Sequence, residues 1–201
     1  MKTIKNIRTK KTDDNKGFSL VELIVVIALM GVVLWYATPR IDSVFGYSAK
    51  EANSKVYNAI TSFKVSCLSK SRRCTDSIMT SSGGSSTVDP DLWMYMEIYK
   101  TGKGIYYVKF HEEGLEDTVE KLGPKRITIS YQYNGSTTMH EVGTEGHGLF
   151  LSFDRSTGGF IPQSISGGSR VDIKYIYCSS GNKTYKIELM PKTGKVMYSN
   201  N

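Results

Sequence analysis

Glu22 is the residue whose type and position most need a chemical explanation. It is the only charged side chain in Phe18 to Thr38, an apolar run of 21 residues. A carboxylate at the centre of a membrane helix costs about 2.5–3.5 kcal/mol and needs a partner or a function. Just ahead of it, Gly17 and Phe18 join a polar leader to the apolar run. Glycine offers a peptidase an unhindered backbone, and a cut between the two residues would leave an ammonium on Phe18 one helical turn from Glu22. Opposite charges in a low dielectric attract strongly and offset each other's burial. Glu22 then has a chemical reading, neutralising that amine, and a plain one, a carboxylate snorkelling to the headgroups.

Other chemistry-bearing residues form no constellation. His111, His140 and His147 are scattered, and His140-Glu141 with His147 lacks the four-residue helical spacing of a zinc pair. They read as surface histidines near turns. Gly143-Thr144-Glu145-Gly146-His147-Gly148 is glycine-rich but opens no helix after a strand, so it reads as a turn and not a phosphate loop. Asp154 beside Ser156 to Gly159 offers fewer oxygens than calcium requires. No catalytic set, metal site or cofactor is expected.

Cys67, Cys74 and Cys178 are an odd number, so at least one thiol is free or pairs between chains. In continuous helix the Cα atoms of Cys67 and Cys74 would stand about 10 Å apart, beyond disulfide reach. Only a helix end between them would permit the bond, so no firm disulfide is expected and this pair is the first candidate. Cys67 lies on an apolar stripe and reads first as a buried, inert thiol; Cys178 alternates with Lys174 and Asp172 on the wetter face of its strand.

The elements around these residues follow from periodicity. At about 1.5 Å per residue, Phe18 to Thr38 spans about 31 Å as a helix, close to a bilayer's hydrocarbon thickness. Before it, six basic residues stand against Asp13 and Asp14, a net of +4. That excess keeps the N-terminus in the cytoplasm and the remainder outside. The whole chain carries +7, so only +3 remains from Phe18 onward. A secretory signal would be cut after small residues, but Trp35-Tyr36-Ala37 puts a Trp there. A plain anchor leaves Glu22 and the Gly17-Phe18 junction unexplained.

From Pro39 onward, Ile41, Val44, Ala52, Val56, Ile60, Phe63 and Cys67 recur at helical spacing, with Lys50, Lys55 and Lys64 on a solvated face. One helix is expected from Phe18 to about Ser69, loosened near Gly31 and Pro39. Ser81 to Thr87 reads as a flexible loop. Period-two segments follow at 92–99, 105–110, 126–133, 149–153, 171–177, 184–189 and 195–198, separated by turns such as Asn134-Gly135 and Thr193-Gly194. The expected fold is α+β: a long N-terminal helix, membrane-spanning in its first half, packed on a mainly antiparallel sheet domain. The division is a leader at 1–17, a helix at 18–38, and one extracytoplasmic domain at 39–201 that includes the second half of the helix.

Lys16-Gly17-Phe18-Ser19-Leu20-Val21-Glu22-Leu23, followed by an apolar helix, resembles the class III signal of type IV pilins and type II secretion pseudopilins. Gly31 and Pro39 match the helix-loosening residues of pilin helices. The resemblance implies a pilin-like fold, cleavage after Gly17 by a prepilin peptidase, methylation of the Phe18 amine, and a helix retained for polymerisation. It also implies that Glu22 meets the Phe18 amine of the subunit already in the fibre. Residues 149–159 and 187–196, with their Thr-Gly turns, are similar to the endings of minor pseudopilins of the pseudopilin H and FimT type.

The implied function is structural and not enzymatic: a minor pilin-like subunit held in the bacterial inner membrane, then assembled into a pilus or type II secretion pseudopilus. Its implied partners are the prepilin peptidase, other pilin subunits, and an assembly platform with its ATPase. The alternative is a DNA-binding minor pilin of a competence pilus, using Lys70, Arg72 and Arg73 or Lys183, Lys186, Lys192 and Lys195 against phosphates. No aromatic and basic stacking platform is evident in the sequence.

Overall fold

A computed structural model of the chain describes residues 19–37, 41–70, 78–79, 94–164 and 169–199. Two compact units emerge, Met1–Arg40 and Ile41–Asn201. The first contains α1, Leu20–Ala37, which runs through Gly31 without a break. Its 18 residues rise about 27 Å, against about 30 Å of hydrocarbon. Among the described residues no helix is long and apolar enough to cross a membrane. The expected span of Phe18 to Thr38 is thus described only in part, since Phe18 and Thr38 lie outside the described residues and Ser19 precedes the helix.

The second unit opens with α2, Ile41–Lys70. Its apolar stripe is buried as the spacing requires: Ala52, Val56, Ile60 and Cys67 are fully buried and Phe63 nearly so. The expected junction at Pro39 and the Ser81 to Thr87 loop lie outside the described residues.

The rest of this unit forms three sheets, and α2 packs on strands of two of them. Three of their strands are β1, Ile78–Met79, β2, Met94–Lys100, and β3, Tyr106–Glu112; then come β4, Thr118–Lys121, β5, Thr128–Tyr133, and β6, Met139–Glu141. They continue with β7, Leu149–Leu151, β8, Gln163–Ser164, and β9, Arg170–Val171. The last are β10, Ile173–Ser180, β11, Lys183–Met190, and β12, Lys195–Ser199. A five-stranded sheet has the order β12-β11-β10-β5-β6, a four-stranded one β4-β3-β2-β7, and a three-stranded one β1-β8-β9. Every pairing is antiparallel except that of β1 with β8, so the mainly antiparallel expectation holds.

Alternation sets the core. Ile127 and Ile129, and Ile187 and Leu189, are buried as expected, and Tyr131 and Tyr133 pack against the same cluster. Strands β1, β4, β6 and β8 were not expected, and β9 overlaps the expected segment at 171–177 only at Val171. Each has four residues or fewer, and β4 is exposed along its whole length, so there was little apolar alternation to read.

The reading of Cys178 is corrected. Cys178 is fully buried, not on a wetter face. The pairing of β10 with β5 shifts register between Ile173 and Tyr175. A β-bulge inserts one residue and reverses inward and outward parity beyond it. Ile173 points inward before the shift and Ile176, Cys178 and Ser180 point inward after it, so alternation counted from Asp172 and Lys174 gives the wrong face.

Candidate functional site

The start of α1 is organised by a reciprocal cap. Ser19 N donates to Glu22 Oε2 at 3.0 Å, and Glu22 N donates to Ser19 Oγ at 3.2 Å. This is a capping box, in which a Ser and a Glu three residues later satisfy each other's backbone donors. The carboxylate also sits where the partial positive charge of the helix start favours it. The signal was legible as Ser19-Leu20-Val21-Glu22 before an apolar run. It gives Glu22 a local task that explains its position without a second chain.

The cap is compatible with chemistry at the neighbouring peptide bond. Ser19 N remains an amide after a cut between Gly17 and Phe18, so the cap does not consume the amine that such a cut creates. An ionised carboxylate has about four lone-pair sites, and the bond from Ser19 uses one of them. Gly17, Phe18 and Pro39 lie outside the described residues. A Cβ added at Gly31 would meet nothing within 4 Å, so no packing contact among the described residues requires that glycine.

Beyond the cap, α1 is apolar on all sides and exposed on all sides. Leu20, Ile27, Val32 and Trp35 are each more than 60% exposed. Surface of this kind in one continuous patch marks an interaction with other apolar matter.

The remaining residues singled out by sequence fall elsewhere. Cys67 is buried on α2, while Cys74 lies outside the described residues. The Cys178 thiol is pushed up to about 12 by burial. His111 Nδ1 lies 2.7 Å from Asp117 Oδ1 and its ring stacks on Tyr95; the His140 ring stacks on Tyr131. Asp154 is surrounded by donors. Ser156 N and Ser156 Oγ reach Oδ1 at 2.8 Å, and Thr157 Oγ1 reaches Oδ2 at 2.9 Å. The Ser156 N–H and those hydroxyls hold this carboxyl below the usual range and bind its oxygens as a turn would.

Two polar clusters escaped the sequence reading. Glu97 is fully buried in β2. Its Oε1 accepts from Gly146 N at 2.6 Å and Gly148 N at 3.2 Å, and its Oε2 lies 3.1 Å from Lys109 Nζ. Lys109 also reaches Glu145 Oε1 at 3.1 Å. Burial disfavours the ammonium, but the two carboxylates outweigh that, and the Lys109 pKa is raised. The glycine-rich segment at 143–148 is therefore a clasp for a buried acid. A Cβ at Gly148 would collide with Ile98 O.

The second cluster corrects the reading of Lys64 as solvated. Its Nζ donates to Thr193 O at 2.8 Å and Gly194 O at 3.0 Å. Gly194 has φ 58°, and a Cβ there would collide with Gly158 O. Phe160 N donates to Pro191 O at 2.8 Å. The two Thr-Gly turns thus meet each other beneath one lysine of α2.

Of the basic residues, Lys70 pairs with Glu112 at 3.4 Å, and Arg72 and Arg73 lie outside the described residues. On the five-stranded sheet, Lys174 Nζ and Lys186 Nζ lie 5.2 Å and 4.8 Å from the centre of the Tyr175 ring. An aromatic and basic grouping therefore exists, which the sequence reading missed because the two lysines sit on different strands.

Residues 13–38 match the family model described as the prokaryotic N-terminal methylation motif. No curated protein and no solved structure matches the chain.

Proposed function

We propose, from the premise that the chain carries the N-terminal signal of type IV pilins and type II secretion pseudopilins, that it is a minor pilin-like subunit of such a fibre. In this reading a prepilin peptidase cuts after Gly17 and the Phe18 amine is methylated. The subunit waits in the bacterial inner membrane with its N-terminus in the cytoplasm. It then enters a pilus or pseudopilus through α1, driven by an assembly platform and ATPase.

The observation that carries this is the methylation motif over residues 13–38. The all-round apolar surface of α1 supports it, since lipid and neighbouring helices are the two environments that would cover such a surface. The capped carboxylate of Glu22 supports it as well, because it is held at the helix start with acceptor sites to spare for an ammonium. The anchoring span needs the residues flanking α1: with Phe18, Ser19 and Thr38 the apolar run reaches 21 residues.

Intact-mass analysis of the chain from cells with an active prepilin peptidase tests the reading. The expected product begins at Phe18, bears one added methyl group and retains α1. A product that still begins at Met1, or one that has lost α1, would overturn it.

A second reading, contact with DNA, is favoured by the Tyr175 grouping. Base stacking on an aromatic ring flanked by cations is a general way to hold single strands. Binding that weakens steeply with salt and with Lys174→Glu and Lys186→Glu would support it. No binding at low salt would remove it.

A further inference from the structure

The groove between α2 and the outer strand β12 has no part in the processing or assembly described above. Lys50, Asn53 and Ser54 form its helix wall, and Tyr185 and Lys186 of β11 with Tyr198 and Ser199 of β12 its strand wall, around about 580 Å³. Strand β12 pairs with β11 alone among the described strands, so among the described residues the backbone N–H and C=O groups of its other edge have no strand partner. An open edge is a template for another strand.

Three features specify what would fill the groove. Asn53 is 3% exposed and its Oδ1 accepts no hydrogen bond. The terminal torsion of an Asn amide is broad and roughly two-fold, so a rotation turns a polar atom to an incoming N–H. Tyr198 stacks on Tyr57 with ring centres 4.3 Å apart, which gives the groove a fixed aromatic wall. Lys50 makes no ion pair among the described residues, nor does Lys183. Lys183 shares a strand face with Tyr185, and its Cγ lies 3.3 Å from where a Cβ on Gly46 would stand, one turn ahead of Lys50.

An extended peptide with carboxylate side chains meets all of these at once. Its backbone pairs with the strand edge and donates to Asn53, its acids face the two lysines, and its alternate side chains lie on the tyrosine wall. A sugar would satisfy the amide and the ring but leave the strand edge unpaired. We propose that the groove between α2 and β12 receives an extended acidic peptide strand from a partner protein, added to the open edge of β12. This goes beyond the assembly reading and does not depend on processing at Gly17.

The test uses the full chain in detergent micelles and a fluorescein-labelled peptide of alternating Glu and Val. The same peptide N-methylated at alternate backbone amides, and an oligogalacturonate, serve as comparisons. Expected are saturable anisotropy with the acidic peptide, slowed amide exchange in β12, and affinity lower by about tenfold for the N-methylated peptide and for Lys50→Glu. Lys50 is exposed, so that variant folds; Asn53→Leu should weaken binding in the same direction. The proposal is overturned by no binding, by equal affinity for the N-methylated peptide, or by binding of oligogalacturonate with unchanged exchange in β12.

Discussion

At the scale of single residues, Glu22 holds two tasks that substitution can separate. The capping box accepts Gln as well as Glu at its third position, whereas only Glu can neutralise an ammonium. Glu22→Gln should therefore preserve the start of α1 and processing at Gly17 while reducing incorporation into fibres. Equal fibre yield from Glu22→Gln and the unsubstituted chain, scored by immunoblot of sheared filaments, would show that the charge is not used. Gly17→Ala should leave the chain unprocessed in the same assay. Cys178 makes a separate prediction. Burial pushes its thiol up to about 12 and leaves almost no thiolate at pH 8. Iodoacetamide should leave it unmodified in the native chain and alkylate it in denaturant, as read by peptide mass mapping.

At the scale of elements, two interlocks hold helix, hairpins and loops together. Lys109 neutralises Glu97 in the interior, and removing one member of a buried pair costs about 3–5 kcal/mol. Lys109→Met should cost that much in chemical denaturation, and Glu97→Met with Lys109→Met should recover most of it. If the double variant is as unstable as the single one, the clasp made by Gly146 and Gly148 contributes more than the ion pair. The junction of Thr-Gly turns is equally specific. Gly194→Ala forces a side chain into φ 58° and into Gly158 O, so it should destabilise by about 2–3 kcal/mol, whereas Gly102→Ala, with open space around it, should change little.

For the molecule as a whole, the titration of surface acids sets the acid limit. Lys100 donates to Glu141 at 2.6 Å and, with Tyr106, holds that carboxyl below its usual range; the Ser156 N–H and its neighbours do the same for Asp154. A carboxyl depressed in the folded state adds stability above its unfolded pKa, about 3.9–4.3, and that stability disappears as pH falls through the folded value. The melting temperature should therefore drop below about pH 4. Glu141→Gln with Asp154→Asn should start lower at pH 7 and fall less steeply; parallel acid limbs would show that other groups control acid unfolding.

The sequence alone determined the features that repeat along the chain. The stripe from Ala52 to Cys67 and the alternation in Ile127 to Tyr133 and Tyr185 to Leu189 each express a local period that survives in the fold, because burial acts on every repeat in the same direction, while the apolar run with its single acid is legible from composition alone. Features made by residues far apart had no such period. Glu97 meets Lys109 across β2 and β3, Lys64 meets a turn 129 residues away, and Lys174 and Lys186 share Tyr175 from neighbouring strands. The same holds for the inward turn of Cys178, which one bulge decided. Only tertiary structure sets these, because register and packing choose which distant groups share a low-dielectric space, and that choice leaves no mark on the spacing of either partner.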